Sequence, residues 1–288
     1  MANNNRDFVH GESFTKGVMM NNDDRISIAI RKKDGDIGSL VKIRKSLTKK
    51  HRIFNLFIIR GIVKFFEGSF NQFYAEEQMK EIEGNKTSKS KDSLLPHFLV
   101  LLTLIAGIIL YFIVPTIIAF FLRQTIVNVF LLNLIEGGIR LIVFFLFFIL
   151  FTSLEKSNKT ALYHGAEHKS LWAYKIGEEI NLENARKHPI RHPSCGTSVL
   201  FFMIILSVPF FLFLNYENML LRIIIMLVLL PVIIGIAFEI TLWLDKSQSR
   251  LAKIVSKPGL FLQRFNTKEP DDNFLEVAIV SLKNLIKY

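Results

Sequence analysis

Apolar residues in this chain gather into four long runs separated by polar, mostly basic stretches. From Phe98 to Leu122 no side chain is charged, and about 25 residues at about 1.5 Å each are enough to cross about 30 Å of hydrocarbon. Pro115 removes a backbone donor inside this run and predicts a kink or a boundary there. A second run, Ile139 to Leu154, reaches spanning length when its start is drawn back through Leu131. It brings Glu136 and Arg140 onto one helix face at i, i+4, read either as an ion pair at the membrane interface or as a functional pair within the membrane. Val199 to Leu214 and Met219 to Leu244 are the third and fourth runs, joined by a tight turn around Asn215 to Asn218.

The polar stretches orient these runs. The N-terminal region, Glu155 to Thr197 and the tail after Leu244 are all basic, whereas the two short connections carry almost no charge. The positive-inside rule therefore predicts that all three basic segments, and both termini, face the cytoplasm. The first 97 residues contain no run of membrane length, and their opening lacks the basic start, apolar core and cleavage site of a secretory signal, so that end is expected to be retained.

Shorter periodicities predict the soluble elements. Ile26 to Ile30 and Ile37 to Ile43 alternate around an Asp34-Gly35 turn and read as a β-hairpin. Over Ile53 to Phe73, the residues Phe54, Phe57, Ile58, Ile62, Phe65, Phe66 and Phe70 form one helical stripe with Arg60 and Lys64 off it. That is an amphipathic helix, either lying on the membrane or packed against the spans. Glu76 to Ser93 is rich in Lys and Ser and reads as an exposed, partly disordered linker. The expected fold is mainly α: a polytopic membrane protein of about four transmembrane helices with a small N-terminal α/β part. Its organisation is an N-terminal cytoplasmic part at 1–75, a charged linker at 76–97, a membrane domain at 98–244 with a cytoplasmic loop at 155–197, and a C-terminal cytoplasmic segment at 245–288.

Composition sharpens this reading. Half of the 288 residues are hydrophobic, 27 of them Phe, yet the formal net charge is +11. Such apolarity excludes disorder as the overall state, and a lone cysteine, Cys195, excludes an internal disulfide scaffold. The excess basic charge lies in segments flanking the spans, so anionic lipid head groups account for it and no nucleic-acid partner is expected. Walker-type, dinucleotide-binding and nucleophile-elbow motifs do not occur.

One pattern carries chemistry. Tyr163-His164-Gly165-Ala166-Glu167-His168-Lys169 is an H-x-x-E-H sequence on a helical stretch. It sets two imidazoles one turn apart with a carboxylate beside them, the order found in inverted zinc metalloproteases. His192-Pro193-Ser194-Cys195 then offers an imidazole and the thiol three apart. His164, His168, His192 and Cys195 together form a three-nitrogen, one-sulfur set suited to Zn²⁺, with Glu167 as general base. Four ligands would make a closed structural site, three an open catalytic one, and ordinary hydrogen-bonding histidines beside a buried thiol remain the alternative to both. Glu239, alone in an apolar run, is read as a further ligand, as an acceptor for a ligating His, or as a polar contact to a neighbouring span.

YHGAEHK at Tyr163 to Lys169 and ENARKHPIRHPSCGTS at Glu183 to Ser198 resemble the YqhQ-like bacterial membrane proteins, described as predicted metal-dependent enzymes. FIIRG at Phe57 to Gly61, GIAFEI at Gly235 to Ile240 and PGLFLQRFNTKEPDDNFLEVAI at Pro258 to Ile279 are similar to later blocks of that family. HGESFTKGVMM at His10 to Met20 resembles its opening, with Glu12 in place of the usual Gln, Lys16 in place of Glu, and Ser194 in place of an Arg before the Cys. The resemblance implies metal binding by His164, His168, His192 and Cys195 and singles out Glu167 and Glu239. The expected activity is that of a zinc-dependent hydrolase of the bacterial cytoplasmic membrane, acting on a membrane protein segment or a lipid-linked molecule. The alternative is a non-catalytic factor with a structural zinc site that assists the assembly of other membrane proteins.

Overall fold

The computed structural model describes residues 8–84, 102, 105–107, 109–154, 159–214 and 218–287. The expected linker beyond Gly84, most of the first apolar run before Ile105 and the turn at 215–217 lie outside these residues.

The N-terminal part is a four-stranded antiparallel meander, β1 (Val9–Ser13), β2 (Gly17–Asn22), β3 (Arg25–Arg31) and β4 (Ile37–Ile43). The expected hairpin is β3–β4, in register from Arg25↔Ile43 to Arg31↔Ile37 with Gly35 in the left-handed region at φ 95°. Two further strands precede it. Strand alternation buries both faces of the sheet. Met19, Ile28 and Ile30 pack under Ala75 and Met79 of a long helix, while Val18, Met20 and Ala29 face Tyr163, Ala166, Leu275 and Ala278 from two others.

A single turn, α1 (Leu47–Lys50), leads into α2 (Ile59–Ile82). This is the expected amphipathic helix, but it starts six residues later than Ile53, because Ile58 at φ 70° breaks the helical backbone, and it runs on to Ile82 through the first part of the expected linker. It packs against an apolar helix. A Cβ on Gly61 would fall 2.7 Å from the Gly235 carbonyl oxygen, and one on Gly235 would fall 2.5 Å from that of Ile58, so the two backbones touch where both side chains are absent. The Arg60 guanidinium clasps the Glu239 carboxylate through two hydrogen bonds of 2.5 Å beside this contact.

Among the described residues, three helices are long and apolar enough to cross a membrane, at Ile105–Leu122, Val129–Leu150 and Met219–Lys246. The first ends as α3 (Val114–Leu122) after a π turn at Ile109–Ile113, with Pro115 in the first turn of the regular helix. The second lies in α4 (Val129–Leu154), followed by α5 (Lys159–Ile176) and α6 (Leu182–Lys187). The third expected run forms a shorter apolar helix, α7 (Gly196–Phe211). Its 16 residues rise about 24 Å, less than a hydrocarbon core. α8 (Met219–Lys246) returns beside it, and α9 (Arg250–Leu262) and α10 (Asp272–Lys287) complete the chain, α10 lying on the sheet.

Glu136 and Arg140 of α4 pair as expected and are buried between helices. Glu136 is 0% exposed and Arg140 1%, and Arg222 of α8, also 1% exposed, joins them. Glu136 accepts from Arg140, from Arg222 at 2.5 Å and from the Thr116 hydroxyl at 2.6 Å, and Asn133 accepts from Arg222 at 2.8 Å. Three apolar helices are thus tied through one carboxylate. Glu136→Leu removes the carboxylate that two buried guanidinium groups share and is expected to lower stability by about 3 kcal/mol or more, read as thermal unfolding of the detergent-solubilised protein. Unchanged stability would show that apolar packing alone holds these helices.

Candidate metal centre

The site begins with the helical repeat. On α5, His164 and His168 lie one turn apart, with ring centroids separated by 4.4 Å. The residue that follows His164 has to be glycine, because a Cβ on Gly165 would lie 2.0 Å from the Lys268 carbonyl oxygen. That close approach presses the segment after α9 onto α5, where the Lys268 N–H donates to the Ala161 carbonyl at 2.9 Å.

The same segment fixes one imidazole. His164 Nδ1 lies 3.0 Å from the Asn266 carbonyl oxygen, and His168 Nδ1 lies 2.7 Å from that of Ile190. A carbonyl only accepts, so each Nδ1 carries the proton and each Nε2 keeps a free lone pair. Backbone carbonyls on the far nitrogen are the usual way in which metal-ligating histidines are oriented.

Cys195 is the residue immediately before α7, with its Sγ 3.2 Å from His164 Nε2. One donor atom from each of His164, His168 and Cys195 falls within 4.8 Å of the others. Ligands around tetrahedral zinc are roughly 3.3 to 3.8 Å apart at its usual bond lengths, so the three need only a small contraction. The donor chemistry fits as well. His168 Nε2 is buried without a hydrogen-bond partner among the described residues. Burial pushes the Cys195 thiol up, but His168 and donation from Thr197 outweigh it and bring the thiol below its ordinary value. Asn266 Nδ2 in turn holds the Thr197 hydroxyl at 2.7 Å.

Glu167, three residues after His164 on α5, packs against β1, where a Cβ on Gly11 would lie 2.7 Å from its Oε1. Its Oε2 is buried without a partner among the described residues. Burial raises its carboxyl to about 8, opposed by His164 and assisted by Cys195 and Glu12. Glu12 on β1 is raised to about 8 by the same cause, against donation from Gln72. Two carboxyls raised by burial thus stand beside the thiol and imidazole group.

Two expected ligands lie elsewhere. His192 sits with its ring 6.0 Å from that of His168 and packed on Trp172 at 4.7 Å. The Ser194 backbone N–H reaches its Nδ1 at 3.4 Å and the Ser194 hydroxyl lies at 2.8 Å, so Nδ1 accepts and the proton is on Nε2. In that tautomer neither nitrogen is free to ligate. Burial, together with Lys175 and His168, holds His192 well below the ordinary histidine range, so it is neutral. Glu239 is occupied by Arg60 on the α2–α8 seam and is absent from the donor group. Sequence reading did not anticipate Glu12 as a neighbour of Glu167, Arg222 as the partner of Glu136, or the carbonyls of Asn266 and Ile190, since a backbone acceptor leaves no mark in the residue type.

Comparison with known proteins places the chain. The model of a family described as "Protein of unknown function (DUF1385)" matches residues 56–288. The chain is 31% identical to the Uncharacterized protein YqhQ of Bacillus subtilis (strain 168) over 293 aligned residues, covering 96% of this chain and 92% of the relative. No solved structure matches.

The tautomers can be tested without metal. Long-range ¹⁵N–¹H correlation spectra of the metal-free protein are expected to show His164 and His168 protonated at Nδ1 and His192 at Nε2. An Nδ1-protonated His192 would return it to the set of possible ligands.

Proposed function

The chain belongs to the DUF1385 family of YqhQ-like proteins, and we propose that it is a zinc-dependent hydrolase of the bacterial cytoplasmic membrane, with His164, His168 and Cys195 as ligands and Glu167 as the proton-accepting carboxyl. The observation that carries this reading is the convergence of three donor atoms within 4.8 Å, with both imidazoles held by backbone carbonyls so that Nε2 faces inward. Three protein ligands leave a fourth position open, the pattern of catalytic rather than structural zinc. With His192 turned onto Ser194, the closed four-ligand knot of a non-catalytic assembly factor loses its fourth member.

When bound, zinc supplies Lewis acidity toward water and toward a carbonyl or phosphoryl oxygen. The protein's own groups do the rest. Asn266 and Ile190 fix the ligand tautomers, Thr197 holds the thiol, and Glu167, in its ionised form, takes up a proton at Oε2, an atom with no competing partner among the described residues; burial, which raises this carboxyl to about 8, favours its keeping that proton. The basic flanks of the apolar helices favour a topology with both termini in the cytoplasm and the centre at the cytoplasmic face, against anionic lipid. The substrate would be a membrane protein segment or a lipid-linked molecule.

Metal content of the purified protein is expected at one zinc per chain in the wild type, in His192→Ala and in Glu167→Gln, and to fall to trace levels in His168→Ala and Cys195→Ser. The cobalt-substituted wild type should show thiolate charge transfer and an exchangeable water. Glu167→Gln should retain metal while losing at least about a hundredfold in turnover. Loss of zinc in His192→Ala would restore the closed site, and absence of metal from the wild type would end the hydrolase reading.

A further inference from the structure

Beside the metal centre a cavity of about 640 Å³ opens between the C-terminal end of α5, the turn at His192, the end of α8 and the start of α9. Its wall is of two kinds. Leu171, Trp172 and Leu244 form an apolar side, whereas three lysines, Lys175, Lys246 and Lys253, stand against a single carboxylate, Asp245. Lys175 is committed to Asp245 at 2.6 Å. Neither Lys246 nor Lys253 has a carboxylate partner among the described residues, so the wall carries an unmatched positive charge of two lysines.

A buried donor faces the same space. His192 is 4% exposed and belongs to the wall, and its Nε2 has no hydrogen-bond partner among the described residues. The Asp245 carboxylate, at 3.9 Å, is beyond hydrogen-bond range. A buried N–H without an acceptor is destabilising, and an anionic oxygen in the cavity would give it one. The mouth lies where the apolar α8 ends at Lys246 and where α9 exposes Leu251, Ile254 and Phe261. Exposed apolar residues on a helix that also carries Lys253 and Lys257 are the mark of an interfacial helix.

We propose that this cavity binds the phosphoryl group of an amphiphile, with Lys246, Lys253 and the His192 Nε2–H on the phosphoryl oxygens and the apolar tail along Leu171, Trp172 and Leu244. Two lysines and one neutral N–H match a phosphate ester in charge and in donor number, and the apolar side gives the tail a dry path toward the bilayer. His192 is then a ligand-binding residue beside the metal centre rather than a part of it. The inference extends the hydrolase reading by naming a substrate class, but the binding itself requires neither metal nor turnover.

The test is retention of defined lipids by the full chain in neutral detergent, followed by Trp fluorescence and by native mass spectrometry. Phosphatidic acid should bind at least about tenfold more tightly than diacylglycerol, and the double variant Lys246→Gln/Lys253→Gln should lose about tenfold of that affinity. His192→Phe, which keeps a ring but removes the N–H, should lose about fivefold. Lys33→Gln/Lys287→Gln, outside the cavity wall, should change nothing. Inorganic phosphate that displaces phosphatidic acid with the same lysine dependence would assign the site to free phosphate esters instead of lipid, within the same chemistry. Equal binding of diacylglycerol, or equal loss in the Lys33/Lys287 control, overturns the proposal. If the lysine-dependent binding holds while Glu167→Gln has no effect on turnover, the hydrolase reading fails and this one stands. If turnover needs Glu167 but phosphatidic acid is not retained, the reverse is true.

Discussion

The contact of α2 with α8 is the constraint from which the rest of the architecture follows. A long apolar helix offers a water-soluble sheet nothing specific to hold, because dispersion along a row of Leu and Ile has no register. Here the register comes from two glycines that let backbone meet backbone and from one ion pair, Arg60 on Glu239, placed beside them. The carboxylate would be costly alone in an apolar helix, and the bidentate guanidinium matches it in charge and in geometry. With α2 fixed in this way, the sheet beneath Ala75 and Met79 is fixed too, and its other face receives α5 and α10. The imidazoles therefore stand at a set height relative to the end of α8.

The same rule, that desolvated polar groups must be matched, operates in three places with different results. Around Glu136 it ties three apolar helices through a single carboxylate. At His168 it is met by Ile190 on Nδ1 and left open on Nε2, while His164 has Asn266 on Nδ1 and the Cys195 thiol on Nε2. At His192 it is met by Ser194 on Nδ1 and left open on Nε2. Structural and chemical roles thus separate according to whether matching is complete.

Much of this was legible in the sequence, for identifiable reasons. Runs of more than 18 apolar residues identify spanning helices almost regardless of detail, and an Asp-Gly turn between alternating arms identifies β3–β4. β1 and β2 were not read as strands, because His10-Gly11-Glu12 and Met19-Met20-Asn21 carry neither alternation nor β-branched residues in number. His164 and His168 were found by helical period. His192 was drawn in with Cys195 by its spacing, but Pro193 and Ser194 turn the backbone between them and give the imidazole a local partner. Glu239 looked unaccompanied because Arg60 is 179 residues away in sequence.

The carbonyl that fixes His164 belongs to Asn266, 102 residues later in sequence, and α10, which closes the sheet over α5, follows it. For a polypeptide leaving the ribosome from its N-terminus, both imidazoles, the thiol and the apolar helices exist before Asn266 and α10 do. Throughout that interval His164 is free to exchange tautomers, and the groove that α10 will occupy on the sheet is open. Register of the sheet, the imidazole pair and the orienting carbonyl thus depends on segments far apart in sequence, so the donor groups exist along the chain before the packing that aligns them.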